Sequence, residues 1–154
     1  MEPKFLKRAI QLAELSINNG GGPFGAVIVK NGEIIAETSN SVTKDNDPTA
    51  HAEVNCIRMA CKKLGTFILE DCDIYASSEP CPMCLGAIYW AHINRIFYAG
   101  TREDAAWGGF DDDFIYKEIA IPYSERRVPA VNALQPEGRN VFAIWRNKTD
   151  KIEY

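Results

Sequence analysis

The sequence predicts an α/β protein: a three-layer α/β/α sandwich around a central mixed sheet of five strands. Three observations carry this. Short apolar runs of strand type alternate with stretches of helical period. The first two strand runs are joined by Asn31-Gly32, a tight-turn pair. No repeat, low-complexity segment or linker interrupts the 154 residues, a length suited to one domain with a single sizeable core. Strands alternating with helices imply crossover connections, a partly parallel sheet and helices on its faces.

Each element has its own warrant. Residues 3–18 place Leu6, Ile10, Ala13 and Ile17 at three- and four-residue intervals, which predicts an amphipathic helix stopped by Gly20-Gly21-Gly22. Ala26–Val29 and Glu33–Ala36 read as strands, and Asn31-Gly32 between them favours a hairpin because both residues tolerate positive φ. Asn46-Asp47-Pro48-Thr49 introduces a second helix over about 50–64, with Asp47 or Thr49 as its cap and Gly65 as its stop. Asp73–Ala76 is a third strand, Cys81 to about Ala91 a third helix, and Arg95–Ala99 a fourth strand. Beyond residue 100, Asp111–Ile119 predicts a short helix capped by one of three aspartates. Residues 120–136 are loop-like with room for one short strand, and Asn140–Lys148 predicts a last helix before a polar tail ending at Tyr154. Residues 1–154 are expected to form one domain.

The chain is 46% hydrophobic and 25% charged, an ordinary soluble composition. No apolar run approaches the ~20 residues that span a bilayer, and no membrane partner is expected. The N-terminus alternates charged and apolar residues and lacks the unbroken apolar stretch of a signal peptide, so a cytoplasmic location is expected. The net charge of −4 and pI near 5.2 disfavour a nucleic-acid partner, which calls for a basic patch; only Lys62-Lys63 and Arg126-Arg127 are densely basic. A small-molecule substrate fits better. Five cysteines are an odd number, which argues against a disulfide framework. Cys56, Cys61 and Cys72 read as small buried hydrophobes.

Cys81 and Cys84 differ by their spacing and company. His51-Ala52-Glu53 opens the second helix, and Pro80-Cys81-Pro82-Met83-Cys84 opens the third. In an open α/β sheet, ligands bind where strands end and the following helices begin. Two helix N-termini meeting there bring their partial positive charge toward thiolates. C-x-x-C at a helix start lets both sulfurs reach one ion, and His51 completes a three-ligand set for Zn²⁺ with one position left for water or hydroxide. Glu53, two residues from His51, is free to act as general acid and base. C-x-x-C by itself equally suits a redox pair or half of a four-ligand structural site. The H-x-E … P-C-x-x-C order favours the catalytic zinc centre of a nucleobase deaminase.

These residues resemble the cytidine-deaminase-like superfamily of zinc hydrolases. Gly21–Val29, Asn46–Glu53, Glu79–Trp90 and Gly109-Phe110-Asp111-Asp112 are similar, within it, to bacterial guanine deaminases. The resemblance implies hydrolysis of guanine to xanthine and ammonia, a step of purine catabolism, with one zinc per subunit held by His51, Cys81 and Cys84. It implies Glu53 and Asp112 as catalytic residues, and Phe24, Asn40, Ala52, Trp90 and Tyr154 as substrate contacts. Phe24 and Trp90 would flank the flat base and Asn40 would hydrogen-bond its edge. It also implies a domain-swapped homodimer in which residues 137–154 form a C-terminal segment that crosses to the partner subunit and Tyr154 closes the partner's site. From the residues alone, Phe24 equally suits packing at a strand end, and Trp90 suits a dimer core. Glu79 reads as orienting the cysteine loop. Guanosine, cytosine or aminotriazine deamination by the same zinc chemistry are the alternatives. Adenosine deamination in tRNA is disfavoured by the acidic pI, and a zinc-stabilised interaction module would need a fourth protein ligand.

Overall fold

The structure, a computed structural model, describes residues 2–153. The chain divides into two compact units, one ending at Asp113 and the other beginning at Phe114. The first unit holds, in order, α1 (Pro3–Asn18), β1 (Gly25–Lys30), β2 (Glu33–Ser39), the short α2 (Val42–Asp45), α3 (Ala52–Leu64), β3 (Cys72–Ser78), α4 (Pro82–Trp90), β4 (Arg95–Gly100) and α5 (Arg102–Trp107). The second holds most of α6 (Asp113–Ala120), a 3₁₀ turn at Tyr123–Glu125, and α7 (Gln135–Asn147).

The sheet order is β2-β1-β3-β4. β1 pairs antiparallel with both β2 and β3, while β3 and β4 are parallel, so the sheet is mixed as expected. It has four strands, not five. The expected fifth lay in 120–136, where Pro122, Pro129 and Pro136 each lack the N–H that a ladder needs; the stretch is a 3₁₀ turn and coil instead. The hairpin forms where Asn31-Gly32 predicts it, with φ of 52° and 79° between the paired Lys30 and Glu33.

Alternation along β1 and β3 separates two apolar clusters, one on each face. Ala26, Ile28 and Ile74 pack with Ala52, Cys56 and Ala60 of α3 and with Ile88 of α4. Val27, Val29 and Tyr75 pack with Phe5 and Ala9 of α1. The first unit is therefore layered α1, sheet, α3 with α4. Tyr75 stacks on Phe97 at 4.8 Å between ring centroids and meets Phe5 at 5.3 Å. Fully burying side chains such as Ile28 or Ile74 contributes roughly 1.5–3 kcal/mol each.

The local corrections are small and have physical causes. α3 begins at Ala52 with His51 at its N-cap and no side-chain cap. Asp47 instead accepts from Thr49, from both its N–H and its hydroxyl, and shapes the preceding turn. α7 begins at Gln135, five residues earlier than its apolar pattern suggests, with Pro136 in its first turn. Asp111 Oδ1 accepts from the Asp113 N–H at 3.0 Å at the start of α6.

Gly25 fixes how closely α1 lies on β1. A Cβ there would come 2.3 Å from the Ala9 carbonyl oxygen and 2.7 Å from the Ala13 nitrogen, both backbone atoms that cannot give way. Gly25→Ala is therefore expected to cost about 2–4 kcal/mol of unfolding free energy by overpacking, measured by denaturant titration. Arg8 ties α1 to the edge strand through paired bonds of 2.9 and 2.6 Å to Glu37. The hydrogen bond from Arg8 holds the Glu37 carboxyl below its ordinary range. The pair's stabilisation is therefore present above that range and is lost as pH falls through the lowered value. Both side chains are about a third exposed, so Arg8→Met should cost only about 0.5–1 kcal/mol at neutral pH. The gap to wild type should close in acid.

Candidate active site

β1 runs opposite to its neighbours, so its first residues lie at the same sheet edge as the last residues of β2, β3 and β4, as Gly25 opposite Ser39 and Ser78 opposite Gly100 show. The site is built on that edge. His51 is the N-cap of α3 and Cys81 the N-cap of α4; both have extended backbone, with ψ of 154° and 168°, and neither side chain caps its own helix. Those side chains meet each other instead. Cys81 Sγ and Cys84 Sγ each lie 3.5 Å from His51 Nδ1. Cys84 sits three residues into α4, on the same side of its first turn as Cys81.

The three ligand atoms lie within 4.8 Å of one another, and among the described residues no other His, Cys, Asp or Glu completes such a group with them. Zinc at ~2.3 Å from sulfur and ~2.0 Å from nitrogen in tetrahedral geometry separates the two atoms by about 3.5 Å. The donor set therefore fits a zinc ion in both chemistry and spacing. The hydrogen bond from Cys84 holds the Cys81 thiol well below the ordinary range, and the same bond, with burial, pushes Cys84 up. The Cys81 thiolate in turn raises His51. All five cysteines are free; Cys56 and Cys72 are buried as expected, and Cys61 is half-buried.

Glu53 is the buried carboxyl of the site, 6% exposed, with Oε2 accepting from Cys84 Sγ at 3.5 Å. Burial pushes its pKa up, the direction that suits a group that must both hold and release a proton near neutral pH. A cavity of about 560 Å³ opens over these residues, and His51, Glu53, Cys81, Phe24, Asn40 and Asp112 all line it. That volume is in the range of small-molecule sites.

The polarity of Asn40 follows from its surroundings. Its N–H donates to the Phe24 carbonyl at 3.0 Å, and its carbonyl accepts from the buried Ser16 hydroxyl at 3.3 Å. Its Oδ1 accepts from the Val42 N–H at 3.2 Å. A backbone N–H can only donate, which assigns the oxygen to the side facing Val42 and makes Nδ2 the donor end of the amide. Phe24 meets Phe110 edge to face at 5.0 Å and 86°, and Asp112 is half-buried, its carboxyl raised by that burial.

Two expected substrate contacts are not among the lining residues. Ala52 is fully buried in the core beneath α3. Trp90, at the far end of α4, is 67% exposed. Tyr154 lies outside the described residues. The cavity also takes side chains that the sequence reading passed over. Phe110 stood inside the Gly109–Asp112 string without a role. Arg102 follows β4 directly, at a strand end where site residues gather, and its Nε lies 3.5 Å from Glu79 Oε1.

The layered fold and the zinc-type centre at two helix starts define a class of hydrolase, and the comparisons agree. The chain belongs to the family of the cytidine and deoxycytidylate deaminase zinc-binding region, whose pattern matches residues 1–100. It is 59% identical over 151 residues to a guanine deaminase of Bacillus subtilis, covering 97% of each chain. The X-ray structure of guanine deaminase from that organism superposes with a TM-score of 0.97 at 57% identity, covering 100% of this chain and 99% of the other. A tRNA-specific adenosine deaminase of Aquifex aeolicus is 44% identical over 105 residues, 68% of each chain.

Replacing Cys81, Cys84 or His51 by Ala is expected to remove zinc from the purified protein. Elemental analysis of wild type and variants checks this, and wild type isolated without zinc yet fully active would contradict the centre.

Proposed function

We propose that this chain is a zinc-dependent hydrolase that deaminates guanine to xanthine and ammonia. The observation that carries the reading is the reach of the similarity to the Bacillus guanine deaminase, 97% of the chain. The zinc motifs are common to the whole family, whereas this likeness extends through the Gly109–Asp112 string and beyond it.

His51, Cys81 and Cys84 would hold the zinc, which when bound lowers the pKa of a water molecule toward about 7. Glu53, buried beside Cys84 and raised by that burial, takes a proton from the attacking water. It delivers that proton to the ring nitrogen next to the amino-bearing carbon, then takes the second proton of the same water and delivers it to the departing amine, which leaves as ammonia. Phe24, braced by Phe110, gives the flat base an aromatic wall. Asn40 would read an acceptor on the base edge with its Nδ2 donors, and Asp112 would face the side that bears the amino group. Ala52, Trp90 and Tyr154 remain proposed contacts, the last two supplied or covered in a dimer.

The dimer reading is supported by apolar surface. α4 is apolar on every side, yet Tyr89 and Trp90 are 75% and 67% exposed. On α7, Val141, Phe142 and Ile144 are more than 60% exposed. A second copy covers these faces, with residues 137–154 laid across the partner's site. Among the described residues no helix is long and apolar enough to cross a membrane, and the proposed setting is the cytoplasm.

Guanine incubated with the zinc-loaded protein should give xanthine absorbance and free ammonia, with guanosine turned over poorly. Failure on guanine would overturn the reading. Glu53→Gln should keep zinc while losing about 10²–10⁴-fold in kcat, the usual magnitude of general acid–base help. Sedimentation should give twice the chain mass, and a monomer in active solution would rule out the swapped dimer.

A further inference from the structure

Asn55 is not a lining residue of the cavity, and the chemistry above gives it no part. It lies one turn into α3, its backbone N–H donating to the His51 carbonyl at 2.9 Å. Its side-chain nitrogen reaches three acceptors: Ser41 Oγ at 3.0 Å, the Ala50 carbonyl at 3.3 Å and the Ser39 carbonyl at 3.5 Å. Two of the three are carbonyl oxygens, which only accept, so the NH₂ end of the amide faces them. The Ala50 carbonyl also accepts from the Ser41 N–H at 3.0 Å. Ser39 and Ser41 bracket Asn40, and Ala50 precedes His51. One amide therefore joins the segment that carries Asn40 to the turn that carries His51. The docking of α3 does not depend on it. Ala52, Cys56 and Ala60 pack into the core, and the Thr38 hydroxyl donates to the Ala52 carbonyl at 2.8 Å.

We propose that Asn55 is a positioning residue for guanine recognition: its amide holds Asn40 in register with His51, so that the donor on the base edge and the metal centre meet the same base. The inference rests on the recognition role proposed above for Asn40. The other bonds to Asn40 tie it elsewhere. Its N–H and carbonyl are held by Phe24, just before β1, and by Ser16 of α1. Its Oδ1 bond to the Val42 N–H is local and moves with the segment. His51 belongs to α3, on the opposite face of the sheet from α1. The Ser41 N–H and the Asn55 amide are what bind the Asn40 segment to that side. The residue type suits the task. Ser and Thr have a single donor and an ionised Asp has none, whereas an amide nitrogen brings two to a cluster of acceptors.

The experiment measures kcat and KM for guanine on zinc-loaded wild type, Asn55→Ala and Ser41→Ala, each variant alone and in an Asn40→Ala background, and on Asn40→Ala itself. Zinc content and thermal midpoint are determined for each. Asn55→Ala should keep its zinc and raise KM about 3- to 10-fold with kcat within about 2-fold, the pattern of weakened substrate binding. Ser41→Ala removes the nearest acceptor and leaves the amide in place. It should raise KM in the same sense by less, and it reads the same contact should Asn55→Ala fail to fold. In the Asn40→Ala background either change should alter KM by under about 2-fold, because the residue being positioned is gone. A merely stabilising Asn55 would lower the midpoint and leave KM where it was. An unchanged KM in the folded variants, loss of zinc, an effect confined to kcat, or full additivity with Asn40→Ala would overturn the proposal, while a raised KM for Asn40→Ala left the role of Asn40 standing. Wild type inert toward guanine, or an unchanged KM for Asn40→Ala, would instead remove that role, and the proposal with it.

Discussion

The site depends on one constraint: two helices must start at the same height on the same sheet edge with their N-cap residues facing each other. β1, central and paired on both sides, sets that height, because it fixes where β2 and β3 end. His51 and Cys81 then leave the sheet in extended backbone, which aims their side chains away from their own helices. A capping Ser or Asp in either place would satisfy a local N–H; His and Cys leave the cap unfilled and turn to one another. Local helix stability is given up at both ends so that three donors converge. The helix N-termini recover part of it by favouring the thiolate charge.

Around this centre the charge balance is uneven. Glu53 is almost fully buried, where its neutral form is favoured, while Asp112 lies half in solvent. Burial raises both carboxyls, so each holds its proton more readily than an exposed acid does. Asn40 adds a third constraint of a different kind. Its oxygen accepts from a backbone donor, which fixes the orientation of the amide. The wall it belongs to is close-packed. A Cβ on Gly22 would come 3.3 Å from the Phe24 ring and 3.4 Å from Asn40 Oδ1, and one on Gly21 would come 2.4 Å from Ser16 Oγ.

Most of the first unit was legible in the sequence. Its signals are local: the period of α1, the Asn-Gly turn, the glycine that stops α3 in a left-handed conformation at φ 67°. The grouping of His51, Cys81 and Cys84 was legible because their spacing is short and their order distinctive. Legibility failed where the deciding contacts are remote in sequence. Nothing near Arg102 announces an ion pair with Glu79, 23 positions away. Trp90 continues an apolar helix, so sequence alone does not separate a base-stacking residue from an exposed face. The expected fifth strand failed for a simpler reason: three prolines in 120–136 outweigh its apolar residues.

The second unit makes the strongest physical case for the proposed partner. α7 spans 13 residues, a length at which an isolated helix is marginal in water. Tertiary packing of an apolar face ordinarily supplies the difference. None of the described residues from 114 onward is buried, and α7 nevertheless carries Val141, Phe142, Ile144 and Trp145. Its amphipathic pattern makes sense only if those side chains are withdrawn from water. In the proposed dimer they would be, so that the stability of this segment and the association of two chains would be one interaction.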